Sequence, residues 1–128
     1  MAKTVCKILG VVFILVGLIG FVSPGFLGTH LSLTHNLVHI ISGAIALYFG
    51  FAATLSAARL FCIIFGVVYG LLGICGYILG RGNPDNMWDA LASIGLHLGT
   101  MDHVVHILLG VVFLAGGFLT RADLGDRG

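Results

Sequence analysis

Charged side chains are scarce in this chain of 128 residues, since lysine, arginine, aspartate and glutamate make up only 9% of it. A soluble globular domain carries about 25% charged residues, so a largely water-exposed surface is excluded. The net charge of +1 also excludes the basic footprint of a protein that binds nucleic acid. With 59% hydrophobic residues and a mean hydropathy of +1.13, the sequence predicts a single membrane domain over residues 1–128.

Cysteine motifs and catalytic constellations are also lacking. The three cysteines, Cys6, Cys62 and Cys75, lie inside apolar runs, and no CxxC spacing occurs. Such an odd, dispersed set argues against a disulfide framework or a cysteine metal site, and we interpret these residues as small apolar side chains. No phosphate loop and no paired carboxylates within an apolar run are found, so we predict that the protein is not an enzyme.

Four apolar runs are each long enough to cross a membrane, which takes about 20 residues in a helix. They cover roughly Val5–Val22, His35–Leu55, Leu60–Leu79 and His103–Thr120. Before the fourth run, helical spacing and a tryptophan predict a short helix in the membrane interface, with its apolar positions at Met87, Trp88, Leu91, Ile94 and Leu98. We therefore predict an all-α fold, an integral membrane four-helix bundle.

The basic residues indicate how the bundle is oriented. All but one of them fall at the N-terminus, in the second connection or at the C-terminus, namely Lys3, Lys7, Arg59, Arg121 and Arg127, and only Arg81 falls on the opposite side. Because basic residues favour the cytoplasmic side, we predict a multi-pass protein of the inner (plasma) membrane with both termini in the cytoplasm. The histidines then lie at or near the outer face.

The two halves of the chain resemble each other. Gly10–Phe21 matches Gly66–Tyr77 at a constant offset of 56, and Gly28–Gly43 matches Gly95–Gly110 at a constant offset of 67. Because each copy holds two spans, both copies have the same orientation in the membrane. We predict a tandem duplication of a two-span hairpin, with repeat 1 over about residues 5–55 and repeat 2 over about residues 60–120, related by an axis along the membrane normal.

Glycine is abundant, with 20 residues, and falls on helix faces that suit close packing. In lipid there is little hydrophobic drive between helices, so close backbone contact must hold them together. Glycines of the third span are three or four residues apart and share one face; His39 shares such a face with Gly43, and His106 with Gly110. We predict helix packing at Gly43, Gly66, Gly70, Gly73, Gly76, Gly80 and Gly110.

Polar residues mark the starts of the second and fourth spans, where they form a candidate ligand site or polar cluster. Polar groups inside a membrane are costly and mark functional sites by default. Under a structural interpretation, the imidazoles hydrogen-bond across helices or to loop carbonyls, and the shorter side chains serve the free N–H groups of the first turns. The group consists of His35, Asn36, His39, Asp102, His103 and His106.

The alternative interpretation of this group is a metal or haem site. A helix N-terminus disfavours imidazolium, and a neutral ring offers the free nitrogen that a metal ion needs. His35 and His39 share one helix face, as do His103 and His106, and Asp102 is placed to orient His106. The cluster would hold a Cu, Zn or Fe ion, or supply His39 and His106 to a b-type haem, although this spacing is not a specific motif.

Three stretches carry a family resemblance. "THNLVHIISGAIAL" begins with H-N-x-x-H-x-x-x-G, "MDHVVHILLGVVFLAGG" contains D-x-x-x-H-x-x-x-G, and "ARLFCIIFGVVYGLLGICGYILG" pairs Ala58 and Arg59 with a glycine-rich span. Together they resemble an uncharacterised bacterial family of small four-span membrane proteins, a domain of unknown function of the DUF4383 type. His103 departs from the family pattern, which usually has asparagine there, so His39 and His106 remain as the shared pair. The resemblance implies the fold and the membrane location but no activity.

The predicted function follows from these limits. No Asp, Glu, Lys or Arg falls in the central turns of a span, where a coupled transporter usually needs one. We predict a non-enzymatic, structural or accessory membrane protein without a cofactor. The alternative is a metal- or haem-binding membrane protein that uses His39 and His106. The predicted partner is the lipid bilayer, and the glycine faces leave a homo-oligomer or a larger membrane complex open.

Overall fold

The computed structural model describes residues 1–83 and 85–120, which form four α-helices. They are α1 (Ala2–Val22), α2 (Leu33–Phe51), α3 (Leu55–Leu79) and α4 (Thr100–Leu119). Each is long and apolar enough to cross a membrane. The described residues form no named strand, only two isolated β-bridges. The predicted all-α architecture with four membrane-length helices is therefore confirmed.

All four helices begin earlier than the sequence suggested, and hydroxyl side chains cap two of them. Ser32 accepts a hydrogen bond from the backbone N–H of His35 at the start of α2, and Thr54 accepts one from Ala57 at the start of α3. Such caps satisfy N–H groups that lack a partner within the helix. The prediction that the second span reaches Leu55 was wrong: α2 ends at Phe51, and Leu55 is the first residue of α3.

The helices pack as two hairpins, α1 with α2 and α3 with α4, and glycine backbones meet inside each one. A Cβ atom added to Gly43 of α2 would come within 2.7 Å of the Gly10 carbonyl oxygen of α1. One added to Gly110 of α4 would come within 2.7 Å of the Gly70 backbone nitrogen of α3. Both distances are too short for a real side chain, so each hairpin depends on close backbone contact at these glycines.

The other predicted packing glycines differ among themselves. Gly66 and Gly73 lie against α4, where an added Cβ would meet Leu114 and Ile107 respectively. Gly76 lies against the ring of His103, and Gly80 lies against a side chain of the following connection. A Cβ atom on Gly70 would meet nothing within 4 Å, so the importance of this residue lies in its backbone, which Gly110 contacts.

An aromatic core joins the two hairpins. Phe13 of α1 has its ring centroid 5.3 Å from that of Tyr69 of α3 and 6.1 Å from that of Phe113 of α4. At the end of the bundle where α1 and α3 begin, the buried Sγ atoms of Cys6 and Cys62 are 3.6 Å apart. We call this the terminal end. The opposite end, where α2 and α4 begin, is called the histidine end.

The connection between α3 and α4 closes the histidine end but contains little helix. Its helical part is the single turn Ala92–Ile94. Antiparallel bridges join Arg81 to Met87 and Trp88 to Leu98, and backbone paired in this way is not available for a longer amphipathic helix. The predicted helix is thus reduced to one 3-10 turn, and its position in a membrane interface stays a prediction.

Candidate metal centre

Three buried histidines meet at the histidine end. His35 and His39 come from α2, and His106 comes from α4. One nitrogen of each ring lies within 4.8 Å of the others, and the residues are only 3%, 6% and 4% exposed. The cluster therefore takes ligand atoms from both hairpins. The sequence analysis placed all three in the candidate group, with His39 and His106 as the shared pair, and the structure brings these three together.

The His35 ring is oriented by a backbone group. Its Nδ1 atom lies 2.9 Å from the carbonyl oxygen of His30. A carbonyl oxygen can only accept a hydrogen bond, so Nδ1 must be the donor. In a neutral ring the other nitrogen, Nε2, then carries a free lone pair. This arrangement, a backbone partner on one nitrogen and an available lone pair on the other, is the one that holds histidine ligands in metal sites.

The rings of His39 and His106 lack such partners. The Nδ1 atoms of both are buried without a hydrogen bond. His39 packs against Phe13 and His35, with ring centroids 5.6 Å and 4.3 Å apart, and His106 packs against Tyr69 at 5.5 Å. A buried polar atom without a partner costs about 1–3 kcal/mol. The Oδ1 atom of Asn36 and the Nδ1 atom of His103 are also buried without a partner, so the distinguishing feature of His39 and His106 is that their rings lie together with that of His35.

Asp102 was expected to orient His106, but its hydrogen bonds are to Gly99 and His30. Its carboxylate accepts from the backbone N–H of Gly99 at 2.8 Å, which caps α4, and from the backbone N–H of His30 at 3.2 Å. The Nδ1 atom of the His30 ring lies 2.8 Å from the same carboxylate. Asp102 thus fixes His30, whose carbonyl oxygen in turn holds His35.

His30 is a supporting residue that sequence reasoning missed. Its Nε2 atom lies 3.0 Å from the carboxylate of Asp85, while Nδ1 faces Asp102. The two carboxylates thus hold the ring from both of its nitrogens. The ring ties the connection between α1 and α2 to the connection between α3 and α4 and to α4 itself. In the sequence, the position of His30 just before the residue that caps α2 was the feature that pointed to this supporting role. Nothing in the sequence pointed to such a role for Asp85.

Two residues of the predicted group point away from the cluster. His103 lies against Gly76 of α3, and its Nε2 atom donates to the carbonyl oxygen of Asn86 at 2.7 Å. Asn36 lies against Gly20 of α1, where no Cβ would fit. Asn36 therefore does not serve the first turn of α2, which Ser32 caps. Each of these polar side chains fills a space, here called a slot, that a glycine leaves open between the two helices of its own hairpin.

Two cavities border the three histidines. The smaller has a volume of about 60 Å³ and is lined, besides the histidines, by Asp102, Thr29 and four apolar residues. The larger has a volume of about 200 Å³ and is mostly apolar, with Ser42 and Tyr69 as its other polar side chains. The three rings thus stand between two spaces, so an ion among them would have open positions on either side.

Comparison with known proteins gives a family and no activity. A family model described as "Domain of unknown function (DUF4383)" matches residues 3–119. No curated protein and no solved structure matches the chain. The family resemblance that the sequence motifs suggested is therefore confirmed.

Proposed function

The chain belongs to the DUF4383 family of unknown function, and we propose that it is a membrane protein that binds a transition-metal ion at His35, His39 and His106. The observation that carries this proposal is the convergence of three buried imidazoles within 4.8 Å. Two of these rings have a buried nitrogen without a partner. His103 also has a buried Nδ1 atom without a partner, so what sets His39 and His106 apart from it is that their rings lie beside a third imidazole.

The donor set favours particular metals. Imidazole nitrogens suit Zn, Cu, Fe and Ni, whereas Ca and Mg prefer oxygen. Three protein ligands with a position left open are typical of sites at which the metal acts on another molecule. A bound ion would be a Lewis acid with an exchangeable fourth ligand. The three side chains would hold it, and the hydrogen bond from His35 to His30 would fix one of them.

An ion fits this site better than the b-type haem that was the other cofactor considered. The two cavities have volumes of about 60 Å³ and 200 Å³. Pockets for drug-sized ligands start at about 300 Å³, and a tetrapyrrole needs at least as much. His39 and His106 also lie beside His35, where a macrocycle between them would displace its ring.

The proposal includes the placement of the protein. Four membrane-length helices put both chain ends on one side if all of them cross, and the basic residues assign that side to the cytoplasm of the inner membrane. The metal site then lies near the outer face. We further propose that α1–α2 and α3–α4 are the two copies of a duplicated hairpin. The matched slots support this, since Asn36 fills one at Gly20 and His103 fills one at Gly76.

Elemental analysis of the purified protein tests the metal site. Wild-type protein in detergent, loaded with Zn(II) or Cu(II) and freed of excess metal, should retain a stoichiometric amount. The double variant His39→Gln/His106→Gln should retain none, because only one ligand remains. The matched control His103→Gln changes a histidine outside the cluster and should retain metal like the wild type. Equal metal in the wild type and the double variant would overturn the proposal, and a Soret band lost in the double variant would favour haem instead.

A further inference from the structure

The larger cavity brings an apolar space to the three histidines. Besides these rings it is lined by Val38 and Ser42 of α2, by Phe65, Val68, Tyr69 and Leu72 of α3, and by three leucines of the following connection. Among the described residues, no fourth histidine, cysteine or carboxylate joins His35, His39 and His106 as a possible ligand. An ion bound by these three residues would therefore have an unfilled coordination position next to an apolar pocket.

The size and lining of this cavity suit a single ring. An apolar cavity of about 150 Å³ is large enough for benzene, and this one measures about 200 Å³. The rings of Phe65, Tyr69 and His106 form part of its wall. Aromatic rings pack favourably in tilted or offset arrangements with one another, so the wall favours an aromatic ring over a flexible alkyl chain.

The cavity is reached from the side of the bundle. Val38 of α2 and Val68 of α3 line it, yet they are 38% and 48% exposed, so its wall includes the outer surface between these two helices. Val68 and Leu72 also line a second apolar groove of about 280 Å³, completed by Leu71, Cys75 and Trp88. The two spaces are contiguous along α3, on a surface that faces lipid if α3 crosses the membrane.

We propose that this cavity binds the head of a lipid-soluble phenol, a ring that carries a hydroxyl oxygen and an apolar tail. The oxygen lone pair would fill the open position of the ion, the ring would lie against Phe65 and Tyr69, and the tail would follow the groove toward Trp88. Ser42 and Tyr69 would serve a further oxygen on the ring, as in a hydroquinone. This inference rests on the proposed metal site.

The test uses the full-length protein in lipid vesicles, loaded with Co(II), whose visible spectrum reports changes in coordination. Three probes are compared: a phenol with a straight alkyl tail, phenol without a tail, and an alkyl carboxylate with the same tail. The tailed phenol should change the spectrum at the lowest concentration. A similar response to tail-less phenol would mean that the ligand comes from water, and a stronger response to the carboxylate would mean a fatty acid; either result overturns the proposal.

A pair of neighbouring variants locates the binding. Val68→Trp fills the cavity from an exposed position, and we expect the dissociation constant of the tailed phenol to rise about tenfold or more. Val67→Trp makes the same change at a residue of similar exposure that lines neither space, and it should bind like the wild type. Equal binding by both variants would place the phenol outside this cavity.

Failure of this inference is distinguishable from failure of the metal site. Co(II) content is measured separately on every sample before a probe is added. If no Co(II) is retained, the proposed function fails. If Co(II) is retained in stoichiometric amount but its spectrum does not change with any of the three probes, the proposed metal site is supported and the proposed phenol site is wrong.

Discussion

At the scale of single residues, the proposed metal site is supported by His30, which lies outside it. The ring of His30 is held between Asp85 and Asp102, and its carbonyl oxygen fixes the tautomer of His35. If the ring is removed, the backbone that carries this carbonyl loses two anchors. Groups that orient metal ligands from outside typically contribute 10–100-fold in affinity.

We therefore predict that His30→Ala weakens metal binding by about 10–100-fold without abolishing it. A titration against a chelator of known affinity measures the change. The control is His97→Ala, an exposed histidine of the same end that makes none of these contacts, and its affinity should stay at the wild-type value. An unchanged affinity in His30→Ala would show that His35 is held without this ring.

Single residues also show what the sequence could and could not foretell. His39 and His106 share faces with Gly43 and Gly110, and helical periodicity alone brought them together. His35 and His103 each lie about one turn before a cluster histidine, so helical periodicity does not distinguish them. Their roles are decided by tertiary partners, a slot at Gly76 with the Asn86 carbonyl for His103 and the His30 carbonyl for His35. Both carbonyls belong to connections, where periodicity carries no information.

At the scale of helices, the contact between α3 and α4 gives an asymmetric pair of glycines. A methyl group on Gly110 would collide with the backbone of Gly70 and the carbonyl oxygen of Gly66, whereas one on Gly70 meets nothing within 4 Å. Gly110 points at the backbone of Gly70, whereas the Cβ position of Gly70 points into open space, so only Gly70 has room for a side chain.

Gly110→Ala should consequently lower the free energy of unfolding by about 1–3 kcal/mol, the usual cost of overpacking. Gly70→Ala should be neutral or stabilise by up to about 1 kcal/mol, because alanine is the better helix former. Unfolding of both variants in mixed micelles with increasing denaturing detergent measures the difference. Equal destabilisation by the two substitutions would contradict the described register of α3 against α4.

The sequence predicted that four helices form, but it did not predict where each helix begins and ends. Apolar length alone indicated four membrane-length helices. The boundary between α2 and α3 was misplaced because no charged residue, glycine or proline marks residues 52–54, and the Thr54 hydroxyl, which accepts a hydrogen bond from the backbone N–H of Ala57, sets the start of α3. Helical spacing between Met87 and Leu98 was misleading for a different reason, since Trp88 pairs with Leu98 in a β-bridge.

At the scale of the whole molecule, the two hairpins can be joined chemically. Cys6 of α1 and Cys62 of α3 lie at the terminal end with their Sγ atoms 3.6 Å apart, so a small shift allows a disulfide. Oxidation by a membrane-permeant oxidant such as iodine should therefore link the hairpins in a protein that carries a protease site between α2 and α3.

After cleavage, the two fragments should stay together on a non-reducing gel and separate once a thiol is added. Cys75→Ser removes the cysteine outside the pair and should behave like the wild type, whereas Cys62→Ser should give separate fragments. A crosslink that needs Cys75, or none at all, would refute the packing of α1 against α3 at this end.

The origin of the three histidines has a consequence for biosynthesis. Two come from α2 and the third from α4, and chains are folded from the N-terminus as they are made. The first hairpin enters the membrane with two of the imidazoles, and the third arrives only when the last helix is inserted. The three histidines are therefore incomplete until α4 is inserted, so an ion that requires all of them would be acquired only after the second hairpin has entered the membrane.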